Sequence, residues 1–157
     1  MAGAHVRRTD KVFGDKPEAK LQTIERYLEI IQQWNPNDVF FATDSPSTAS
    51  EILLKAPKFL SNDTHLMIDI DQERLELGSG YMANHDIPFN QTLEAINTIK
   101  DIWLLKQTDV FVCTISSFFA RLVVRLRFAD NRLHGQTWFS LDDDPWGNWP
   151  FTFSYLQ

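Results

Sequence analysis

What most constrains this chain is the alternation of two periodicities. Short apolar runs of strand length, Ala2–Val6 and residues 39–43, 65–70, 109–114 and 137–141, are separated by segments with helical spacing. In residues 18–34 the apolar positions Leu21, Ile24, Tyr27, Leu28 and Ile31 keep a period near 3.6, and Asn35-Pro36-Asn37-Asp38 stops that helix. Pro46 fits the first turn of a short helix over 47–55, and further helices are expected over 90–107 and 116–128. Residues 74–88, with Gly78-Ser79-Gly80, read as a loop. Strands alternating with helices are the sequence form of βαβ units, so the expected fold class is α/β, an open and mostly parallel sheet. A length of 157 residues suits one domain, the last part of which (136–157) is an aromatic-rich tail.

Charge and composition narrow the function. A formal charge of -6 argues against general nucleic-acid binding, which needs a basic face to neutralise phosphates. Within this acidic chain, His5-Val6-Arg7-Arg8 is locally basic. The single cysteine, Cys113, lies in the apolar run Val110-Phe111-Val112-Cys113-Thr114, which marks it as a buried small side chain and leaves no disulfide framework. No apolar stretch reaches the roughly 20 residues of a membrane span, and the polar N-terminus does not read as a signal peptide. His65, His85 and His134 lack metal-ligand spacing, and neither a Gly-x-Gly-x-x-Gly nor a Walker loop is present. Asn62-Asp63-Thr64 and Asn90-Gln91-Thr92 fit the N-glycosylation pattern. Asp142-Asp143-Asp144 reads as a solvated turn before Pro145, because consecutive carboxylates seldom converge on one ion.

Open α/β sheets bind ligands beyond the carboxyl ends of their strands, and residues 7–11, 43–46 and 114–117 fall at such ends. In an alternating strand His5 and Arg7 share one side and Arg8 takes the other. A guanidinium presents a planar donor fork suited to phosphate oxygens, so this strand end reads either as a phosphate clamp or as a basic end paired with Asp10 and Asp15. Ser116 and Ser117 begin a helix, where unsatisfied N–H groups form an anion seat; one of the serines simply capping the helix is the alternative. Asp101 stands on an apolar helix beside Ile102, Trp103, Leu104 and Leu105 and needs a partner. Guanine, with two donors on one edge, is one candidate; Arg121 or Arg125 is the other.

In these segments the chain resembles the α-1,6-fucosyltransferases that core-fucosylate N-glycans, and their rhizobial nodulation relatives. His5-Val6-Arg7-Arg8-Thr9-Asp10-Lys11 is similar to the family's first signature and Ala42-Thr43-Asp44 to its second. Asp101 with Asp109-Val110-Phe111-Val112-Cys113-Thr114 and Ser116-Ser117 is similar to its third, in matching order over about the first 125 residues. The resemblance implies a Rossmann-like donor domain, one half of a GT-B glycosyltransferase of family 23 type, that binds GDP-fucose without a metal and transfers fucose with inversion to an N-glycan GlcNAc. It assigns the β-phosphate to Arg7 and a further phosphate contact to Ser117, the guanosine end to His5 and Asp101, and further donor contacts to Tyr27 and Asp44, with Arg8 and Ser116 among the GDP-fucose-binding residues. Asp15 falls at the general-base position, where the family has glutamate, and Lys11 at a supporting lysine. Ser45 stands where the family usually has a second aspartate and Phe118 where it has glutamine. The resemblance further implies the Golgi lumen or secretory pathway, and an acceptor site built by an N-terminal domain or partner chain beyond this sequence. The competing expectation is a non-catalytic remnant that keeps the fold as an interaction module.

Overall fold

A computed structural model describes residues 1–8, 21–69, 91–130 and 138–142. Five parallel strands, β1 (Ala2–Val6), β2 (Asp38–Thr43), β3 (His65–Ile68), β4 (Val110–Cys113) and β5 (Trp138–Ser140), form one sheet in the order β3-β2-β1-β4-β5. Among the described helices are α1 (Ile24–Gln32), α2 (Pro46–Lys55), α3 (Gln91–Gln107) and α4 (Phe118–Ala129), with a 3-10 turn at Ala56–Lys58. This is the α/β Rossmann-like open sheet that the alternating pattern predicts.

Strand periodicity divides the core into two layers. Ala2, Ala4, Val6, Val39, Phe41, Val110, Val112 and Phe139 pack with Ile24, Tyr27, Leu28 and Ile31 of α1 and Ile52 of α2. The alternate residues Phe40, Ala42, Phe111 and Cys113 pack with Leu105 of α3 and Ala120, Val123 and Val124 of α4. The central strands β1, β2 and β4 thus bury both faces, which is why they read as continuous apolar runs rather than as polar–apolar alternation.

Three boundaries differ from the sequence reading. Residues 21–23 are extended and α1 begins at Ile24, with Thr23 as N-cap at ψ 152°, while Leu21 is exposed and leaves the apolar stripe. Arg8 Nη2 donates to the Gln22 carbonyl at 3.0 Å and so holds this segment toward the end of β1 rather than in a further helical turn. Helix α4 begins at Phe118, so Ser116 and Ser117 lie ahead of it. Strand β3 ends at Ile68, and Ile70, the 74–88 loop and most of the aromatic tail lie outside the described residues. The stop after α1 is as read: Asn35 takes φ 41°, a left-handed conformation that asparagine tolerates, and Pro36 cannot continue the helix.

Helix α3 approaches β1 closely because Gly3 has no side chain. A Cβ at Gly3 would fall 2.5 Å from Thr108 Cγ2 and 3.0 Å from Leu105 Cδ2. Thr108 cannot easily retreat, since its hydroxyl donates to the Leu105 carbonyl at 2.8 Å and accepts from Arg127 Nη1 at 3.0 Å. Arg127, 1% exposed, also donates to the carbonyls of Leu105, Thr108 and Asp109, so α4 caps the carboxyl end of α3 with a buried guanidinium. Gly3→Ala is expected to cost about 1–3 kcal/mol through overpacking. Arg127→Met, which keeps the stem but strips the donors from buried carbonyls, is expected to cost on the order of 3 kcal/mol. Urea titrations that give the midpoint and slope of each variant check both values.

Candidate functional site

The central strands β2, β1 and β4 end side by side. Val6 is level with Thr43 of β2, and Ala4 with Val112 of β4, so the same register continued puts Val6 beside Thr114. The chain winds outward from β1 through β2 to β3, then returns to the other side of β1 as β4 and β5. Strand order therefore reverses between β1 and β4, the point where helices leave in opposite directions and open a crevice at the carboxyl edge. The predicted site residues on these exits (Arg7, Arg8, Asp44, Ser116 and Ser117) are brought to one edge. Lys11 and Asp15 lie outside the described residues.

Asp44 ties the first two exits together. Its Oδ1 accepts the Arg8 backbone N–H at 3.1 Å and its Oδ2 lies 3.8 Å from Arg7 Nε. The Arg7 side chain remains about a quarter exposed, 27%. Arg8 turns to the α1–α2 layer, as strand alternation predicts, and there it pairs with Glu51 and with the Gln22 carbonyl. Lys55 joins Glu51 at 2.5 Å and Glu25 at 2.6 Å. Burial works to raise the Glu51 carboxyl pKa, but hydrogen bonds from Lys55 and Arg8 and their charges outweigh it and hold the group below its ordinary 4.5. The two arginines thus have different settings: Arg8 is built into an ion-pair network, and Arg7 stands at the edge. Ser45 caps α2 by accepting the Thr48 N–H at 3.2 Å.

At the β4 exit the two serines also divide. Ser117 occupies the N-cap position of α4, yet its side chain makes no capping bond. Its hydroxyl is buried, with the residue 5% exposed, and finds no hydrogen-bond partner among the described residues. The capping alternative is therefore not what the fold adopts, and a buried hydroxyl without a partner is costly unless something else meets it. Ser116 donates instead to the carboxylate of Asp142, which also accepts the Ile115 N–H at 2.6 Å. The expected solvated turn at Asp142 is thus corrected: this carboxylate is bonded into the β4–α4 turn. Asp143 and Asp144 lie outside the described residues. The signal that would have found Asp142 was the one that found the others, since it directly follows a strand at the same carboxyl edge.

Tyr27, expected among the donor contacts, lies beneath this turn in the α1 layer, 1% exposed. Burial pushes its phenol far above the ordinary range, with the nearby Cys113 and Asp142 adding to the shift and a hydrogen bond with Thr114 and the charge of Arg8 opposing it. Tyr27 therefore senses residues from three strand exits at once. Cys113 is buried as expected, and its thiol is likewise pushed up by burial and by Asp142.

On the other layer His5, 4% exposed, stacks on Phe119 of α4, with ring centroids 4.3 Å apart and planes 21° from parallel. Asp101 is 1% exposed. Helix α3 runs against the strand direction, because Leu105 and Thr108 sit over Gly3 and the Asp109 N–H reaches the Met1 carbonyl. One turn back from Leu105 is a rise of about 5.4 Å, close to the two-residue step of about 6.6 Å from Gly3 to His5 along the strand. The register thus carries Asp101 to the level of His5, on the layer that both share.

Two basic strand-end residues, a serine pair before a helix, and a buried acid brought level with a buried histidine are now joined at one sheet edge. A family model described as the alpha-(1,6)-fucosyltransferase N- and catalytic domains matches residues 1–144, which include every described residue. The chain belongs to the alpha-(1,6)-fucosyltransferase family. Membership points to a fucosyltransferase-like function for the chain. Among the described residues no three His, Cys, Asp or Glu side chains gather as a metal site would require, and no helix is long and apolar enough to cross a membrane.

A lowered carboxyl pKa in the folded chain means that the unfolded chain binds the proton first. The Glu51 contribution is therefore complete above about 4.5 and is lost as pH falls through the depressed folded value. Acid titrations of stability are expected to show a shallower loss below pH 4.5 for Glu51→Gln than for the parent chain.

Proposed function

We propose that the carboxyl edge of β2, β1 and β4 binds GDP-fucose as the donor site of an inverting α-1,6-fucosyl transfer to an N-glycan GlcNAc. The observation that carries this reading is the pairing of a partly exposed arginine on the β1 exit with a buried hydroxyl, unpartnered among the described residues, at the start of α4 on the neighbouring β4 exit. Arg7 and the first amides of α4 supply fixed positive charge for a departing diphosphate, the part that a divalent cation plays in other transferases, so the proposed chemistry needs no metal. Arg8 supports this charge from within its ion-pair network, and Asp44 orients both arginines.

Asp101 takes the guanine edge in this reading, because a carboxylate matches the two adjacent donors that guanine offers and adenine does not. His5, stacked on Phe119, walls the guanosine end. Tyr27 acts from below, through Thr114. Inverting transfer also needs a base for the acceptor hydroxyl, which the family resemblance assigns to Asp15 with Lys11 in support. The acceptor belongs to a second domain or partner chain, and a place in the secretory pathway follows from N-glycan acceptors.

Calorimetric titration with GDP and with ADP tests the reading. GDP is expected to bind in preference to ADP, and Asp101→Asn to erase that preference. Arg7→Lys, which loses the planar fork, is expected to weaken GDP about tenfold or more. Equal binding of the two nucleotides, or binding of neither, sinks the proposal.

A further inference from the structure

The strand-end rule brought Ser116 and Ser117 forward together as diphosphate contacts, but the hydrogen bonds at the β4–α4 turn separate them. Leu141 continues the β4–β5 ladder by donating its N–H to the Cys113 carbonyl at 2.8 Å, and this delivers Asp142 to the turn. The Asp142 Oδ1 accepts from the Ile115 N–H at 2.6 Å and from the Ser140 hydroxyl at 2.8 Å, while its Oδ2 accepts from the Ser116 hydroxyl. Ser140 Oγ in turn accepts the Ile115 N–H at 3.1 Å. A serine hydroxyl carries one hydrogen. With that hydrogen directed at Asp142, Ser116 presents lone pairs elsewhere and cannot donate to a phosphate. The Ile115 amide is committed in the same way. What the turn still offers an anion is the Ser117 hydroxyl, buried and without a partner among the described residues, and the opening amides of α4.

We infer that Asp142 is a positioning residue of the donor site: by holding Ile115 and Ser116 it fixes the turn so that Ser117, rather than Ser116, meets the diphosphate. The inference rests on the GDP-fucose reading above. Its sign is informative. A carboxylate this close to a diphosphate repels it, so a bystander Asp142 would weaken binding and its neutralisation would tighten it. A positioning Asp142 has the opposite effect, because the geometry it imposes outweighs the repulsion.

The test is calorimetry on the full chain with GDP and with guanosine, alongside thermal melts, for the parent, Asp142→Asn, Ser116→Ala, Ser117→Ala and the Asp142→Asn/Ser116→Ala double variant. Asp142→Asn and Ser117→Ala are each expected to weaken GDP about tenfold, the scale of one charge-assisted hydrogen bond. Guanosine, which lacks the diphosphate, should bind all of them like the parent, whereas a general loosening of the domain would reduce both ligands. The double variant should be no weaker than Asp142→Asn, since the two residues act through one contact. Unchanged or tighter GDP binding in Asp142→Asn, with the parent binding normally, overturns the positioning role alone. A parent chain that binds no GDP overturns the donor-site reading and this inference together. Should Asp142→Asn fail to fold, Ser116→Ala and Ser140→Ala each remove one partner of the carboxylate, and parent-like GDP affinity in both overturns the inference.

Discussion

The approach of α3 to β1 over Gly3 is the contact on which the rest of this molecule depends. It sets the height of the helix against the sheet, and therefore the level at which Asp101 meets the layer that holds His5. The approach is fixed from both sides. A side chain at position 3 would collide with Thr108, and Thr108 is bonded to the Leu105 carbonyl and to Arg127. Because Arg127 belongs to α4, the same buried guanidinium joins the helix that carries Asp101 to the helix that Ser117 precedes as N-cap. Structure and site share these atoms.

Charge at the carboxyl edge is balanced rather than simply accumulated. Several cationic or donating groups there have a counterpart from another element: Arg7 with Asp44, Arg8 with Glu51, Ser116 with Asp142. Such pairing keeps a basic edge compatible with an acidic chain, since unopposed arginines side by side would repel each other and loosen the strand ends. It also distinguishes the groups by what remains available. Arg8 and Ser116 are committed to the fold, whereas the Ser117 hydroxyl has no partner among the described residues and the Arg7 side chain reaches solvent. Proximity in sequence thus conceals a difference in role, and hydrogen bonds reveal it.

Much of the architecture was legible from periodicity because burial on both faces makes β1, β2 and β4 apolar runs, and Asn35 and Pro46 mark the end of α1 and the start of α2. β1 and α2 fall where the pattern puts them, and Asn35 ends α1 by the left-handed turn that its side chain tolerates. The misjudged boundaries share one cause. Leu21 fits the helical stripe locally, but the Gln22 carbonyl is taken by an arginine fourteen positions earlier; Ser116 looks like a helix start, but its hydroxyl is taken by an acid twenty-six positions later. Local propensity carries no information about such partners.

The sequence by itself determined the α/β class, the placement of Arg7, Arg8, Asp44, Ser116 and Ser117 at strand exits and the family signatures, because these depend on spacing along the chain. Tertiary structure alone decided the strand order β3-β2-β1-β4-β5, the commitment of Arg8 and Ser116 to internal bonds, the buried cap made by Arg127, and the entry of Asp142 into the turn. The physical reason is that a hydrogen bond is specified by two atoms meeting in space, and only the assembled sheet, with β5 laid beside β4, brings those atoms within reach.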